Sequence, residues 1–378
     1  MKVPSLFSHV LPGSSVLVAM SGGVDSSVAA LLLKENGYKP VGVTMRYWVD
    51  PCSEKMSDKD IQGCCALEAV NDARAVAQDI GIPHYVLDMK NVFFEKVVSY
   101  FVGEYLNGRT PNPCVACNRY IKFNYMLTKA QALGIDYIAT GHYARVLFHK
   151  TENRYRLMRG IDTQKDQSYA LYVLNQEQLK RAVFPLGDLT KDIIRDIALK
   201  KGLKVAEKSE SQEICFLPDN DYRGFLERER PEGIISGDIL STQGEKLGRH
   251  HGVAFYTIGQ RRGLGISASK PLYVVEVNSE NNTIIVGTEE KIYSRGLWAD
   301  DLNFISGVAP QKVEDIETKI RYRSPLVNAT LYPPDNDTAK VLFSTRQKAV
   351  APGQSAVFYK GDEVMGGGVI SSAIYEED

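Results

Sequence analysis

The stretch from Val16 to Leu33, VLVAMSGGVDSSVAALLL, constrains the fold of this chain more than any other part of the sequence. Its first residues form a continuous apolar run, which is typical of a parallel strand covered on both faces. Gly22 and Gly23 follow, and glycine allows positive φ angles and close approach of the backbone to a ligand. Asp25 then opens a helix, whose first turn carries unpaired N–H groups and a partial positive charge. The stretch therefore predicts a strand, a tight turn and a helix N-terminus suited to a phosphate-sized anion.

Two familiar phosphate-binding patterns are absent. The sequence contains no G-x-x-x-x-G-K-[ST] here, so the lysine that reaches the outer phosphates in such loops is missing, and there is no G-x-G-x-x-G. SGGVDS resembles instead the pyrophosphate loop of the ATP pyrophosphatases. That resemblance implies that the loop binds the β- and γ-phosphates of ATP, with Mg²⁺, while AMP is transferred to a substrate oxygen. The nucleotide-binding residues that it implies are Ala19, Met20, Ser21, Gly22, Gly23, Val24, Asp25, Ser26, Met45 and Gly141.

Length and composition indicate an ordinary globular protein with several domains. At 378 residues the chain exceeds the size at which one core stops growing. The formal net charge of −1 means that any contact with nucleic acid uses local basic patches. No transmembrane helix or signal peptide is expected, and six cysteines in so long a chain do not form a secreted disulfide framework. We therefore expect a cytoplasmic protein without a membrane or DNA partner.

The order of the predicted elements indicates an α/β fold with three domains. Residues 1–218 alternate strand and helix at the spacing of a parallel sheet, and form the catalytic domain with the pyrophosphate loop. Residues 219–288 are expected to form a small, mostly β central domain, and residues 289–378 a β-barrel that contacts RNA. Ligands of open α/β sheets bind beyond the carboxyl ends of the strands, where Met45, Gly141 and His142 lie. Met45 equally suits a core position, and His142 a structural, hydrogen-bonded one.

Three cysteines are candidates for chemistry. Cys114 and Cys117 form a C-x-x-C, which is typical of redox chemistry or metal binding in a cytosolic protein. Pro111 and Pro113 are predicted to keep this segment extended, so that both thiols are displayed on a stiff loop. Cys215 follows much later, in SQEICF. The other three are expected to act as small buried side chains: Cys52, Cys64 and Cys65.

The C-terminal part carries a basic, aromatic segment. Residues 319–360 contain seven Lys or Arg and two Asp, with Tyr322, Phe343 and Tyr359 between them. A basic β surface with aromatic side chains suits contacts to RNA backbone and bases. A solvated barrel face is the alternative interpretation.

Several motifs in order narrow the resemblance: SGGVDSS, TPNPC..CN.YIKF, ATGHYARV, KDQSYAL, SQEICF, YTIGQRRGLGI and RYR. Over nearly its whole length the chain resembles the bacterial tRNA 2-thiouridylases, which sulfurate the wobble uridine of certain tRNAs. The resemblance implies that ATP adenylates the uridine 2-oxygen and that a donor protein loads Cys215 with a persulfide. Cys117 then releases the sulfur, which leaves a Cys117–Cys215 disulfide. The positions implied to contact tRNA or the target base are Asn112, Pro113, Cys114, His142, Lys165, Asp166, Gln167, Arg321, Tyr322 and Gln354.

The chain departs from many family members at Cys114, where they have Asp. With Cys117 and Cys215 this third thiol resembles the ligand set of tRNA thiolases that bind a four-iron, four-sulfur cluster. Such a cluster would replace the persulfide route, because the same thiolates would be ligands. Zinc is a third alternative, although a closed zinc site usually has four ligands.

Two other functions explain part of the sequence. An adenylating enzyme for a small-molecule substrate would explain the loop but not the basic tail or the three thiols. A nucleic-acid-binding cysteine or metal module would explain the tail but not the loop.

Overall fold

The computed structural model of the chain describes residues 9–50, 67–208, 214–217 and 219–375. The polar sequence from Asp50 to Gly63 predicts an irregular insertion, which lies outside these ranges except for its first residue. Cys52, Cys64 and Cys65 also lie outside the described residues.

A parallel sheet forms the first part of the molecule, as the sequence predicts. The strands of this region are β1 (Ser15–Ala19), β2 (Lys39–Arg46), β3 (His84–Asp88), β4 (Tyr137–Ala139), β5 (Ala144–His149), β6 (Arg154–Arg159) and β7 (Ala182–Val183). Five of them pair in parallel in the order β3-β2-β1-β4-β7, whereas β5 and β6 form an antiparallel hairpin.

Helices pack around this sheet. They are α1 (Val24–Glu35), α2 (Leu67–Asp79), α3 (Lys90–Phe93), α4 (Ser99–Leu106), α5 (Pro113–Ala116), α6 (Met126–Ala132), α7 (Gln176–Arg181) and α8 (Lys191–Lys200). π-Helical turns join α3 to α4 over Phe94–Val98 and α5 to α6 over Cys117–Tyr125. A short 3₁₀ turn spans Ser168–Leu171.

The predicted extended loop around the C-x-x-C is wrong, because helix α5 begins at Pro113. Proline is tolerated in the first turn of a helix, where its missing N–H would have no helical partner. The Asn112 side chain caps the helix by accepting hydrogen bonds from the amides of Cys114 at 3.1 Å and Val115 at 3.4 Å. Cys114 and Cys117 therefore lie on the first turns of a helix.

The sequence YIATGHYAR predicts one strand from Tyr137 to Arg145, but the structure interrupts it. β4 ends at Ala139, and the chain leaves the parallel sheet before β5 begins at Ala144. The turn between them contains Gly141 and His142, so these two residues follow the carboxyl end of a strand.

The second part contains helix α9 (Tyr222–Glu229) and a four-stranded sheet. Its strands are β8 (Gly237–Ser241), β9 (Lys246–His250), β10 (Tyr273–Asn278) and β11 (Thr283–Gly287), in the order β10-β11-β8-β9. The last part is a barrel of β12 (Tyr293–Phe304), β13 (Glu314–Lys319), β14 (Val327–Leu331), β15 (Ala339–Lys348), β16 (Ser355–Lys360) and β17 (Glu363–Ile374). Pairing of β12 with β17 closes the six strands. The predicted α/β class, with a small central domain and a terminal barrel, is confirmed.

The β5–β6 hairpin joins the barrel, which sequence patterns did not predict. Met158 and Leu157 of β6 pair with Glu363 and Val364 of β17, and the amide of Arg159 donates to a barrel carbonyl at 2.8 Å. The hairpin thereby extends the barrel sheet with residues from the first part of the chain.

Buried tyrosines fill the contact between the first part and the barrel. The Tyr169 hydroxyl donates to the carbonyl of Ser355 at 2.8 Å, and the Ser355 hydroxyl donates to Tyr172 at 3.2 Å. Tyr359 of β16 lies 3.4 Å from the Ser168 hydroxyl. Burial raises the pKa of Tyr172 to about 12, so this phenol stays neutral at physiological pH.

His142 is packed as a neutral imidazole. Its ring packs against those of Phe123 and Phe184, which also contact each other, and its Nδ1 is 2.7 Å from the Thr140 hydroxyl. Burial, helped by the nearby Lys122 ammonium, lowers the pKa of His142 well below its usual value. Protonation of this ring would place an uncompensated charge in the core.

In the ranges that the structure describes, no helix has both the length and the apolar character needed to cross a membrane.

We predict that Tyr169→Phe lowers the free energy of unfolding by about 1 kcal/mol, because the Ser355 carbonyl loses its buried donor. Urea denaturation measures the change. Tyr85→Phe is the matched control, since Tyr85 is 61% exposed and should be neutral. Equal effects of the two substitutions would contradict a stabilising interface bond.

We also predict that the protein loses stability below pH 6.5 partly through His142. A histidine whose folded pKa is lowered contributes stability above its unfolded pKa, and this contribution is lost as the pH falls. His142→Gln should reduce the pH slope of the unfolding free energy by up to about 1.4 kcal/mol per pH unit. Urea denaturation at pH 8 and pH 5.5 measures it. Parallel profiles for the two proteins below pH 6.5 would disprove the prediction.

Candidate active site

The phosphate loop is held in a conformation that glycine alone allows. Gly22 has a φ of +73°, and a Cβ at this position would lie 2.4 Å from the carbonyl oxygen of Ala69. Gly23 precedes α1 in an extended conformation, and no side chain caps the helix. The first-turn amides of α1 therefore face a position where an anion binds favourably.

Serine hydroxyls fold the loop against itself. Ser26 Oγ accepts a hydrogen bond from the amide of Ser21 at 3.1 Å and donates to the carbonyl of Gly23 at 3.1 Å. Ser27 Oγ donates to the same carbonyl at 2.9 Å. These bonds fix the turn before a ligand arrives, so less ordering is needed on binding.

Asp25 has two strong partners that sequence reasoning missed. The Tyr143 hydroxyl donates to Asp25 Oδ1 at 2.8 Å, and the Lys191 ammonium contacts the two carboxylate oxygens at 2.7 and 2.8 Å. The Lys191 side chain is 8% exposed and that of Asp25 is 30% exposed. The sequence carried one signal for the contact of Lys191 with Asp25. A lysine in the first turn of a helix is unfavourable with the helix dipole, so its presence there indicates an acidic partner.

Other predicted nucleotide residues surround the loop. A Cβ at Gly141 would lie 3.0 Å from the Ser26 amide nitrogen, so the glycine is required by the approach of β4 to the loop itself. Met45 is buried in β2, and its sulfur accepts a hydrogen bond from Tyr47 at 3.4 Å. Their contacts with a nucleotide stay predictions.

The turn at residues 165–171 is tied to the loop through Tyr143. The Gln167 side chain accepts from the Tyr143 amide at 3.1 Å, and the Gln167 amide donates to the Tyr143 carbonyl at 3.0 Å. Asp166 is buried, and accepts from the amides of Gly160 at 3.0 Å and Ser168 at 3.2 Å. Lys165 is partly exposed at the start of this turn.

The same turn holds the cysteine helix. The Asn118 side chain donates to the carbonyl of Ala170 at 2.9 Å, inside the core. Cys117, beside it, is 7% exposed, whereas Cys114 is exposed and Cys215 is partly buried. None of these three cysteines forms a disulfide in the structure.

The segment that precedes the cysteines is anchored from two sides. The Thr110 amide donates to the carbonyl of Pro352 at 2.8 Å, and the Gln354 side chain donates to the Thr110 carbonyl at 2.9 Å. The Thr110 hydroxyl donates to that of Thr257 at 3.1 Å. Residues of the barrel and of the central part thus position Asn112 and the cysteines. Gln354 does so through its hydrogen bond to the Thr110 carbonyl.

Cys215 lies next to an aromatic cluster. The ring of its neighbour Phe216 packs edge-on against Phe93, Phe101 and Phe225. This cluster holds residues 214–217 against helices of the first part and α9.

The predicted basic, aromatic surface is only partly present. Tyr322 is 39% exposed, but Phe343 and Tyr359 are buried. Phe343 lies in the core of the barrel, and Tyr359 lies in the contact between the barrel and the first part. Arg321 is exposed, and its guanidinium donates to the Lys348 carbonyl at 2.7 Å. The Tyr322 ring lies 6.0 Å from that of Tyr169. The exposed residues therefore border the turn at residues 165–171.

The three cysteines are not arranged as metal ligands. Within the described ranges, which include Cys114, Cys117 and Cys215, no group of three or more His, Cys, Asp or Glu side chains could hold a metal ion. Ligation of an iron–sulfur cluster or a zinc ion by Cys114, Cys117 and Cys215 stays a prediction.

Comparisons with known proteins match this architecture part by part. Residues 14–219 match the family model described as the tRNA methyl transferase HUP domain. Residues 223–288 match the tRNA methyl transferase PRC-barrel domain, and residues 294–370 the aminomethyltransferase beta-barrel domain. Among solved structures, a 4-thiouridine synthetase–RNA complex with bound ATP shows only distant likeness, with a TM-score of 0.35 and 16% identity over 58% of this chain and 51% of that one.

Curated relatives match over nearly the whole chain. The tRNA-specific 2-thiouridylase MnmA of Natranaerobius thermophilus is 53% identical, over 96% of this chain and 99% of that protein. Those of Acetivibrio thermocellus and Carboxydothermus hydrogenoformans are 51% and 50% identical, over 94% and 97% of this chain and 98% and 100% of theirs. The phosphate loop, the capped cysteine helix and the closed barrel thus occur in a chain that belongs to the tRNA-specific 2-thiouridylase family.

Proposed function

We propose that this chain is an ATP-dependent sulfurtransferase that converts the wobble uridine of tRNA into 2-thiouridine. One observation carries the proposal: a single turn is bonded to both reactive regions. Gln167 ties it to Tyr143 and thereby to Asp25 of the phosphate loop, while the carbonyl of Ala170 binds Asn118 beside Cys117. An adenylation site and a sulfur-transfer site that share this support suit two consecutive steps on one base.

In the first step, the uridine 2-oxygen attacks the α-phosphorus of ATP. A bond forms between that oxygen and phosphorus, the bond to the β-phosphate bridging oxygen breaks, and pyrophosphate leaves. The first-turn amides of α1 bind the departing phosphates, and Met45 contacts the adenine. Mg²⁺ bound to the triphosphate would neutralise its charge, with Asp25 as the carboxylate at the loop.

In the second step, sulfur replaces the activated oxygen. A donor protein loads Cys215 as a persulfide, and partial exposure of Cys215 supports access for that donor. The Cys117 thiolate attacks the inner sulfur, so that a Cys117–Cys215 disulfide forms and hydrosulfide is released. Hydrosulfide attacks C2 of the base, and AMP leaves. A dithiol reductant supplies the two electrons that reopen the disulfide.

The proposed substrate contacts fall into two sets, one for the target base and one for the rest of the tRNA. Asn112, Pro113, Cys114 and His142 are assigned to the target base, and Lys165, Asp166, Gln167, Arg321, Tyr322 and Gln354 to the tRNA. Exposure of Arg321 and Tyr322 supports direct contact. The side chains of Asp166, His142 and Gln354 are bonded within the protein, which supports a role in shaping the surface.

The proposed domains are residues 1–218, 219–288 and 289–378. The family-model matches, which end at residue 219 and begin at 223 and 294, support these limits. A tRNA substrate supports a cytoplasmic location.

The test uses labelled pyrophosphate and unmodified tRNA. We expect tRNA-dependent formation of AMP, and 2-thiouridine in digested tRNA by mass spectrometry when a persulfide donor is present. AMP formation on a metabolite without tRNA would instead show a small-molecule enzyme, and absence of any adenylation would show a binding module.

We predict that Cys215→Ser and Cys117→Ser abolish persulfide-dependent thiolation yet retain tRNA-dependent AMP formation, because sulfur transfer follows adenylation. Cys114→Asp, which restores the residue found in many relatives, is the matched control and should retain thiolation. Loss of both activities in Cys215→Ser would indicate a structural role. Iron and sulfide assays on anaerobically purified protein should find neither, and a full complement of both would overturn the persulfide route.

We predict that Gly141→Ala raises KM for ATP severalfold, because the added methyl group would press on the Ser26 amide that faces the phosphates. Steady-state kinetics with tRNA measure it. Gly103→Ala in α4 is the control, since a Cβ there meets nothing within 4 Å. An unchanged KM in Gly141→Ala would show that this contact does not shape the nucleotide site.

A further inference from the structure

The motif YTIGQRRGLGI, residues 256–266, has no part in the proposed reaction. It lies in the central part, between a 3₁₀ turn at Val253–Phe255 and β10. Arg261 and Arg262 are exposed at its middle, and neither guanidinium has a hydrogen-bond or ion-pair partner among the described residues. From residue 251 to residue 275 the sequence contains three Lys or Arg and no Asp or Glu. Residues 256–266, here named the arginine loop, therefore carry an exposed positive charge that no nearby acid in the sequence offsets.

Hydrogen bonds fix the backbone of the arginine loop. The Gly259 amide donates to the carbonyl of Val274 at 2.8 Å, and the Val274 amide donates to the carbonyl of Gln260 at 2.9 Å. The Gln260 side chain accepts from the Thr257 amide at 3.2 Å and donates to the Arg262 carbonyl at 3.0 Å. The two arginines are therefore presented by an ordered backbone, so a ligand that binds them has less chain to order.

The arginine loop contacts the segment that leads to the proposed target-base residues. The Thr257 hydroxyl accepts a hydrogen bond from the Thr110 hydroxyl at 3.1 Å. Thr110 precedes Asn112, the cap of the cysteine helix, by two residues. A strand of RNA that brings a base to Asn112 therefore approaches the arginine loop as well.

The arginine loop also contacts the barrel edge that holds Arg321. A Cβ at Gly259 would lie 2.4 Å from the Cβ of Ala349, so the two backbones approach closely there. The residue before Ala349 is Lys348, whose carbonyl accepts from the Arg321 guanidinium at 2.7 Å. The arginine loop thus touches both regions to which the proposed function assigns tRNA contacts.

The chemistry of an RNA strand fits two such cations. A base that reacts must leave its stack, and the phosphates on either side of it then need positive partners on the protein. Arginine suits this role because its planar guanidinium donates two parallel hydrogen bonds to phosphate oxygens. An acidic protein surface would also be attracted, but the contacts with the Thr110 segment and the Arg321 edge favour the strand that carries the target base.

We propose that Arg261 and Arg262 bind phosphates of the tRNA strand beside the target uridine. The inference rests on the proposed function and adds to it a contact surface in the central part of the chain. It predicts that the two arginines supply a salt-dependent share of the affinity for tRNA and no share of the affinity for nucleotide.

Filter binding of an unmodified tRNA transcript to the full chain, at several salt concentrations, tests this. The double variant Arg261→Gln/Arg262→Gln should weaken tRNA binding about tenfold or more, as expected for lost hydrogen bonds between charged groups. The slope of log Kd against log salt concentration should fall by about 1.4, roughly 0.7 for each lost phosphate contact. Lysine at both positions should retain most of the affinity, because a phosphate contact requires the charge.

The control variant is Lys200→Gln/Lys201→Gln, which also removes two positive charges. These lysines lie at the end of α8, and Lys201 pairs with Glu35 at the end of α1 away from the phosphate loop. This variant should keep the wild-type tRNA affinity and salt slope. Binding of magnesium pyrophosphate, measured by calorimetry, should be unchanged in both double variants.

Unchanged tRNA affinity and salt slope in the Arg261→Gln/Arg262→Gln variant would overturn the inference. If a raised KM for the persulfide donor accompanied them, the arginine loop would instead be a docking site for that protein. A parallel loss of pyrophosphate affinity would also overturn it, because this would show a structural role. If the double variant does not fold, the two single Gln variants provide the same comparison, each with about half the change in slope.

Thiolation by the wild-type protein is measured alongside, so that the two proposals are tested separately. A wild-type protein that binds tRNA through these arginines but does not thiolate it contradicts the proposed function and leaves the role of the arginine loop intact.

Discussion

The hydrogen bonds of the turn at residues 165–171 hold the three functional parts of the molecule in one arrangement. Gln167 binds both backbone groups of Tyr143, and the carbonyl of Ala170 accepts from Asn118 of the cysteine helix. The Tyr169 hydroxyl binds the backbone of the barrel. Each of these bonds is buried or partly buried, so its loss would leave a polar group without water.

The hydrogen bonds of the turn at residues 165–171 fix the relative positions of the groups in the candidate site. In the proposed reaction an adenylated base and an incoming sulfur must meet within a bond length, and their supports come from different elements. Since α5 is capped by Asn112 and its approach is held by Gln354, the cysteines are positioned by rigid helix and barrel residues. In the phosphate loop, Gly22 adopts a positive φ, and no side chain caps the N-terminus of the following helix. Because a preorganised site of this kind is ordered before the ligand binds, little binding free energy is lost in ordering its side chains and backbone.

Polar groups inside the core are kept neutral or paired. Burial holds His142 and the interface tyrosines in their uncharged forms, and Lys191 forms an ion pair with Asp25. The hydrogen bonds of these groups fix relative orientation more specifically than apolar packing alone would. The interface between the first part and the barrel therefore acts as part of the active site's framework.

Local patterns in the sequence determined the strand, glycine turn and helix of the phosphate loop, the parallel sheet and the order of the three parts. These features depend on the spacing of hydrophobic residues along the chain and on interactions between residues a few positions apart. The extended loop expected at Cys114 was wrong because Pro113 occupies the first turn of a helix, where proline is tolerated, and Asn112 caps that helix. The burial of Phe343 and Tyr359, the pairing of β6 with β17 and the contact of Lys191 with Asp25 were decided only by the tertiary structure. The strand pairing, the contact of Lys191 with Asp25 and that of Tyr359 with Ser168 join segments more than a hundred residues apart. Chain folding, not local propensity, determines which distant groups meet.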